Sequence, residues 1–126
     1  MSKKIFVVED DQKNLDLFLA ILNTMPNLEI MTEMDGQRAF EQIKKEPPDI
    51  IILDIHLPRM SGIDIYRELK KIEKFKTIPI IAVTALAMKG DKERILEAGF
   101  DAYISKPIII KEFRNILNNF LSKKLK

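Results

Sequence analysis

The sequence predicts an α/β domain built on a parallel sheet with helices covering both faces. Three observations predict it: continuous apolar runs of strand length, amphipathic stretches of helical period between them, and regular alternation of the two along the chain. A strand covered on both faces has no polar side, so it reads as an unbroken apolar run.

The elements follow in order. Ile5-Phe-Val-Val8 is the first such run. Residues 14–23 place Leu15, Phe18, Leu19 and Leu22 at helical spacing and end near Pro26. Residues 28–34 alternate weakly and read as a second strand. Residues 37–45 carry Ala39, Phe40 and Ile43 on one helical face, and Pro47-Pro48 stops them. Ile50-Ile-Ile-Leu53 is the clearest buried strand. Residues 63–72 are helical through Ile63, Tyr66, Leu69 and Ile72, and residues 78–83 form a fourth strand. Residues 91–98 form a helix stopped by Gly99, the residue type that tolerates a left-handed cap. Residues 102–105 make a short fifth strand and 110–121 a final amphipathic helix, with 122–126 expected to fray as a basic tail. With no repeat or linker, residues 1–126 read as a single domain.

Composition narrows the function. The chain has 126 residues, 46% hydrophobic, with 21 Lys+Arg against 19 Asp+Glu and a formal charge of +2. That excludes a disordered chain and argues against nucleic-acid affinity driven by bulk charge. With no Cys there is no disulfide framework, thiolate metal site or thiol nucleophile. No apolar run approaches the roughly 20 residues of a membrane span, and Ile5–Val8 is too short for a signal-peptide core. The expected location is the cytoplasm, with neither membrane nor direct nucleic-acid contact.

In open parallel sheets, sites form outside the carboxyl ends of the strands. Glu9, Asp10 and Asp11 follow the first run, and Asp54, Ile55 and His56 the third. Thr84 follows the fourth, and Ser105, Lys106 and Pro107 the fifth. Clustered carboxylates repel one another and suit a hard cation such as Mg²⁺, which takes one or two protein carboxylates plus phosphate oxygens and water. Lys106 supplies a point charge for a phosphoryl oxygen and Thr84 a hydrogen bond. An ionised Asp is then a nucleophile that forms an acyl phosphate.

These residues carry a resemblance. Val-Val-Glu9-Asp10-Asp11, Ile-Ile-Leu-Asp54-Ile-His-Leu-Pro58-x-Met-Ser-Gly62, Ala-Val-Thr84-Ala85 and Tyr103-Ile-Ser-Lys106-Pro107 resemble the CheY-like receiver domains of bacterial two-component response regulators. Ala87-Met-Lys-Gly-Asp91 also resembles DivK-type single-domain receivers. The resemblance implies a doubly wound, flavodoxin-like (βα)5 fold with strand order 2-1-3-4-5. It implies that Asp54 accepts a phosphoryl group from a phosphohistidine on a sensor histidine kinase or phosphotransfer protein. Asp10, Asp54 and the backbone carbonyl of His56 are then expected to ligate Mg²⁺, with Glu9 acting mainly through bound water. Lys106 contacts the phosphoryl group, and its bond to Pro107 is cis. Thr84 swings toward the phosphoryl oxygen and Tyr103 moves inward. A separate output protein then reads the face made by the fourth helix, fifth strand and last helix.

Each residue alone has a plainer reading. Glu9-Asp10-Asp11 suits a solvated loop with Asp11 capping the first helix, Thr84 a strand-end hydroxyl, Lys106 a solvated charge, and Tyr103 half-buried packing. Four motifs at four strand ends favour the joint reading. One His beside acids is a poor zinc set, so the His56 side chain is read instead, with Leu86, as controlling water access to the acyl phosphate. The first helix is richer in apolar residues than a core stripe needs. A donor-docking surface and absorption by neighbouring elements both explain that surplus. Met88, Lys89, Lys92, Lys111 and Arg114 suit either an output face or plain solvation.

Two rival functions share parts of the pattern. A haloacid-dehalogenase-like phosphatase also uses an Asp after a strand, but wants a second Asp two residues on, where His56 stands. A flavin binder wants a Gly/Ser/Thr-rich phosphate loop after the first strand, where Glu9-Asp10-Asp11 repels phosphate.

Overall fold

A computed structural model of the chain describes residues 2–85 and 91–124. Five strands, β1 (Lys3–Val8), β2 (Leu28–Glu33), β3 (Ile50–Asp54), β4 (Ile80–Thr84) and β5 (Ala102–Ser105), alternate with five helices. The helices are α1 (Gln12–Leu22), α2 (Gly36–Lys45), α3 (Gly62–Lys70), α4 (Asp91–Ala98) and α5 (Ile110–Lys124). All strands pair in parallel in the order β2-β1-β3-β4-β5.

Alternation along the strands divides the core in two. Phe6, Val8, Ile51, Leu53, Ile80 and Ala82 pack under α2, α3 and α4 beside Ala39, Ile65, Leu69 and Ile95. Ile5, Val7, Ile50, Ile52, Ile81 and Val83 pack on the opposite face under α1 and α5 beside Phe18, Leu22, Phe113 and Leu117. Both faces are buried, so neither shows a polar periodicity.

Helix ends follow local chemistry. Asp11 Oδ1 caps α1 by accepting from the Lys13 N–H at 3.2 Å, as its loop position predicts. Ser61 and Asp64 form a reciprocal capping box on α3. Gly99 terminates α4 at φ 114°, and an added Cβ there would lie 2.1 Å from the Tyr66 hydroxyl.

Most boundaries shift by one or two residues from the sequence expectation, as at the start of α1 and the end of α3. β4 begins at Ile80, not Ile78, because a 3-10 turn at Glu73–Phe75 takes the Ile78 N–H (3.3 Å to Phe75 O) and Lys70 Nζ takes the Ile78 carbonyl at 3.3 Å. β1 starts two residues early, since the Lys3 N–H finds the Asn27 carbonyl at 2.9 Å. α5 keeps its helical backbone through Lys124, three residues past the Leu121 end read from the periodicity. No helix among the described residues is long and apolar enough to cross a membrane.

Gly62 places α3 against β3. A Cβ on it would lie 2.3 Å from the Asp54 carbonyl oxygen and 2.8 Å from the Ile55 Cα, both backbone atoms with no room to retreat. Gly62→Ala is expected to lower stability by about 2 kcal/mol, the usual size of an overpacking strain. Thermal unfolding checks this, with Ala39→Gly as a control for loss of a helical methyl.

Candidate functional site

Two neighbouring strands deliver the acids. Val8 of β1 lies opposite Leu53 of β3, so the next residues, Glu9 and Asp54, emerge side by side. Strand order reverses at this junction, where open α/β sheets leave a crevice. Glu9 is fully buried, Asp54 is 2% exposed and Asp10 faces solvent. One carboxylate oxygen from each of the three lies within 4.8 Å of the other two.

Lys106 reaches the same notch from β5. Its Nζ donates to Asp54 Oδ2 at 2.9 Å and to Glu9 Oε2 at 3.2 Å, and lies 3.1 Å from Glu9 Oε1. β5 is two strands from β3, about 10 Å across the sheet, so a cation arriving from there needs a side chain of lysine length. The Lys106 N–H donates to the Thr84 carbonyl at 2.9 Å, and the Lys106–Pro107 bond is cis, as the resemblance implies. Asp54 Oδ1 accepts the His56 N–H at 2.9 Å, so both Asp54 oxygens are held.

The electrostatics follow from three acids facing one ammonium. Burial, then the hydrogen bond and charge of Asp54, push Glu9 up to about 7, against the pull of the Asp11 N–H and Lys106. Burial, followed by the charge of Asp54, also raises Asp10. For Lys106 burial works downward, but the hydrogen bond and charge of Asp54, then those of Glu9, win and raise it. Glu9 Oε1 is buried and makes no hydrogen bond of good geometry, with the Lys106 ammonium 3.1 Å away as its ion-pair partner. Three hard oxygen donors within 4.8 Å of one another and a surplus of negative charge over the single ammonium fit a divalent cation such as Mg²⁺.

Thr84 is 1% exposed at the end of β4, with Ser105 opposite it on β5. Strand alternation puts it on the same sheet face as Ala82 and Tyr103. Tyr103 is half-buried and packs against the α2–α4 core. The His56 side chain is exposed. With Thr84, Ile63, Arg67, Arg94 and Ile95 it lines a cavity of about 280 Å³ beside the notch. Leu86, Met88, Lys89 and the stretch 87–90 lie outside the described residues.

Other expectations resolve individually. The apolar surplus of α1 is absorbed: Leu15, Phe18, Ile21 and Leu22 are buried, and Leu17 and Leu19 pack against the same cluster. Lys92 and Lys111 are exposed. Arg114 turns instead toward the end of α1, donating to Thr24 Oγ1 at 2.7 Å. Sequence reasoning missed Ile109 and Ile110, 54% and 47% exposed just after Lys106-Pro107. It also missed an ion pair between Arg59 and Asp35 at the rim of the notch. The isoleucines sit in an apolar run whose composition does not mark exposure, and the ion pair joins residues 24 apart with no local pattern.

Fold and site together define a doubly wound α/β domain with an acid–lysine notch at its strand-order reversal. The response regulator receiver domain family matches residues 5–118. The chain is 40% identical over 121 residues to the polar-differentiation response regulator DivK of Brucella ovis, covering 96% of this chain and 98% of that one. Its structure is similar to the receiver domain of a sensor histidine kinase from Pseudomonas aeruginosa PAO1. The TM-score is 0.86 at 31% identity over 97% of this chain and 99% of that one, and that structure has magnesium coordinated in its active site cleft. A putative response regulator from Chloroflexus aurantiacus matches with TM-score 0.89 at 27% identity, covering 97% and 99% of the two chains. The chain therefore belongs to the response regulator receiver domains, similar to DivK. As a class, these are phosphoacceptor signalling switches of two-component systems that bind Mg²⁺ at an acidic site.

Proposed function

We propose that this protein accepts a phosphoryl group from a phosphohistidine donor onto Asp54 and passes the resulting conformational state to a separate partner. The observation that carries the reading is the convergence of Asp54, Glu9 and Lys106 within 2.9–3.2 Å from three different strand ends. An ion pair this enclosed is costly to desolvate, so a gain in stability does not by itself account for it.

Asp54 attacks phosphorus through a carboxylate oxygen. As the new O–P bond forms, the P–N bond to the donor breaks and its electron pair stays on that nitrogen; the donor ring, protonated on its other nitrogen, departs as neutral imidazole. Lys106 now sits on Asp54 Oδ2, and in the reaction its ammonium transfers to a phosphoryl oxygen, so one contact replaces another without exposing a charge. The His56 N–H keeps Asp54 oriented throughout. Asp10, Asp54 and the His56 carbonyl would hold Mg²⁺, with Glu9 acting through bound water. When bound, the cation neutralises the carboxylates and stabilises the charge on the transferring group. The Thr84 hydroxyl then bonds a phosphoryl oxygen, vacating space on the sheet face it shares with Tyr103, which turns inward. Because β5 is an edge strand, Tyr103 reports that move on the surface formed by α4, β5 and α5. The reaction belongs in the cytoplasm, where histidine kinases are loaded. It is stoichiometric, one phosphoryl group per chain, unlike a phosphatase. Intact mass after incubation with Mg²⁺ and a small phosphodonor tests this: a single phosphoryl increment is expected, and multiple turnover with no retained label contradicts it.

The raised Glu9 adds a pH dependence. Folding takes up a proton here between about 4.5 and 7, so the cation-free fold gains stability as pH falls through that window and loses it as pH rises. Mg²⁺ needs the ionised acid. Its affinity is therefore expected to fall about tenfold from pH 8 to pH 6 as one proton must be displaced. Calorimetric titration at both values checks this, and Glu9→Gln should flatten the dependence.

A further inference from the structure

The connection between β3 and α3 carries much of the site. His56 holds Asp54 Oδ1 through its N–H at 2.9 Å and supplies the carbonyl that the proposed reaction uses. The base of this loop is pinned, with the Gly62 N–H donating to Ile55 O at 3.0 Å and the Ile55 N–H to Val83 O at 2.9 Å. Its far end has no such ladder bond. There Arg59 sits at φ 66°, the left-handed region that arginine seldom adopts.

From that backbone Arg59 reaches across to the β2–α2 turn. Its Nε donates to Asp35 Oδ1 at 2.9 Å, and Nη2 makes a second, shorter contact with the same oxygen. Asp35 is a fixed anchor. Its Oδ2 caps α2 by accepting the Arg38 N–H at 2.8 Å, and its own N–H donates to Glu33 Oε2 at 3.0 Å. The Arg38 N–H, then Arg59, hold its carboxyl below the usual range. The adjoining Gly36 lies so close that a Cβ would fall 2.2 Å from the Met60 carbonyl oxygen. The other ion pairs outside the notch among the described residues join helix neighbours, or Lys4 to Glu46. Arg59–Asp35 straps two loops together at the carboxyl edge of the sheet.

We propose that Arg59 is a positioning residue: paired with Asp35, it holds the 55–60 loop so that the His56 carbonyl and Asp54 present their oxygens together, and so sets the Mg²⁺ affinity of the notch. This rests on the notch being the phosphorylation site. The strap's hydrogen bonds run from Arg59 to Asp35 and not to Asp54 or Lys106, so its loss acts on cation binding, and excess cation compensates.

The test uses the full chain as wild type, Arg59→Ala, Arg59→Lys and Asp35→Asn, the last keeping an oxygen to cap α2. Mg²⁺ is titrated against amide NMR shifts of Asp10 and His56, and against the rate of labelling by a small phosphodonor. The half-saturating Mg²⁺ is expected to rise about fivefold in Arg59→Ala and Asp35→Asn, the size of effect a partly exposed ion pair supplies. Arg59→Lys should recover part of it, and saturating Mg²⁺ should bring the rates back together. An unchanged half-saturation overturns the proposal. So does a rate that falls equally at every Mg²⁺ concentration with a matching loss of thermal stability, which marks a role in folding alone. A wild type that neither binds Mg²⁺ nor becomes labelled removes the phosphorylation reading itself.

Discussion

Asp54→Asn is expected to abolish phosphoryl labelling while leaving the fold intact. The amide has nearly the same volume and keeps one carbonyl oxygen, which accepts from either Lys106 or the His56 N–H, so one of the two contacts now made to Asp54 is retained and the other is lost. What disappears is the anionic nucleophile, and a neutral amide oxygen does not form the mixed anhydride. The change also removes one of three clustered charges. The charge of Asp54 helps hold Glu9 and Asp10 above the ordinary carboxylate range, so both should titrate lower in the variant. Intact mass with a small phosphodonor and Mg²⁺ gives the first readout, and carboxylate NMR titration the second. Residual labelling at the wild-type level would place the acceptor on another residue.

Lys106→Ala is expected to slow labelling by about 10²- to 10³-fold, the effect of removing one preorganised donor from a developing phosphoryl charge. The sign of its effect on cation binding is opposite. The ammonium occupies the acids that the cation needs, with Glu9 and Asp54 both within 3.2 Å of Nζ. Removing it deepens the negative potential, and Mg²⁺ affinity should rise on the order of tenfold. Without cation, Glu9 and Asp54 are buried with no counter-charge, so thermal stability should drop and return on adding Mg²⁺. A slower reaction with tighter cation binding separates this role from general damage to the notch, which weakens both. Kinetics of labelling and calorimetric Mg²⁺ titration on one preparation give both quantities.

How much of this was legible in the sequence depends on the range of the interaction. β1, β3 and β5 were read within two residues of their ends, because a strand buried on both faces leaves an unbroken apolar run. The acids were legible as a set because parallel topology sends every strand's carboxyl end to one edge. That Glu9 and Asp54 are immediate neighbours needed the strand order, which came from the resemblance and not from periodicity. Glu9 read as an outer acid, yet it is fully enclosed beside Lys106. Burial of a loop residue depends on what folds over it, and Lys106 lies 97 positions away. Ile78 failed as a strand residue because the Lys70 ammonium captures its carbonyl, a contact no apolar run reveals. Arg59 stayed invisible because its role depends on a left-handed backbone and a partner across two loops.

The central claim is that Asp10, Asp54 and the adjoining loop share one divalent ion opposite Lys106. Crystals grown with Mn²⁺ and measured at its absorption edge test it most directly. One anomalous peak is expected in the notch, about 2.1–2.3 Å from an oxygen of Asp10, an oxygen of Asp54 and the His56 carbonyl. A notch empty of anomalous signal at saturating Mn²⁺, or a peak bound by other acids, would contradict it.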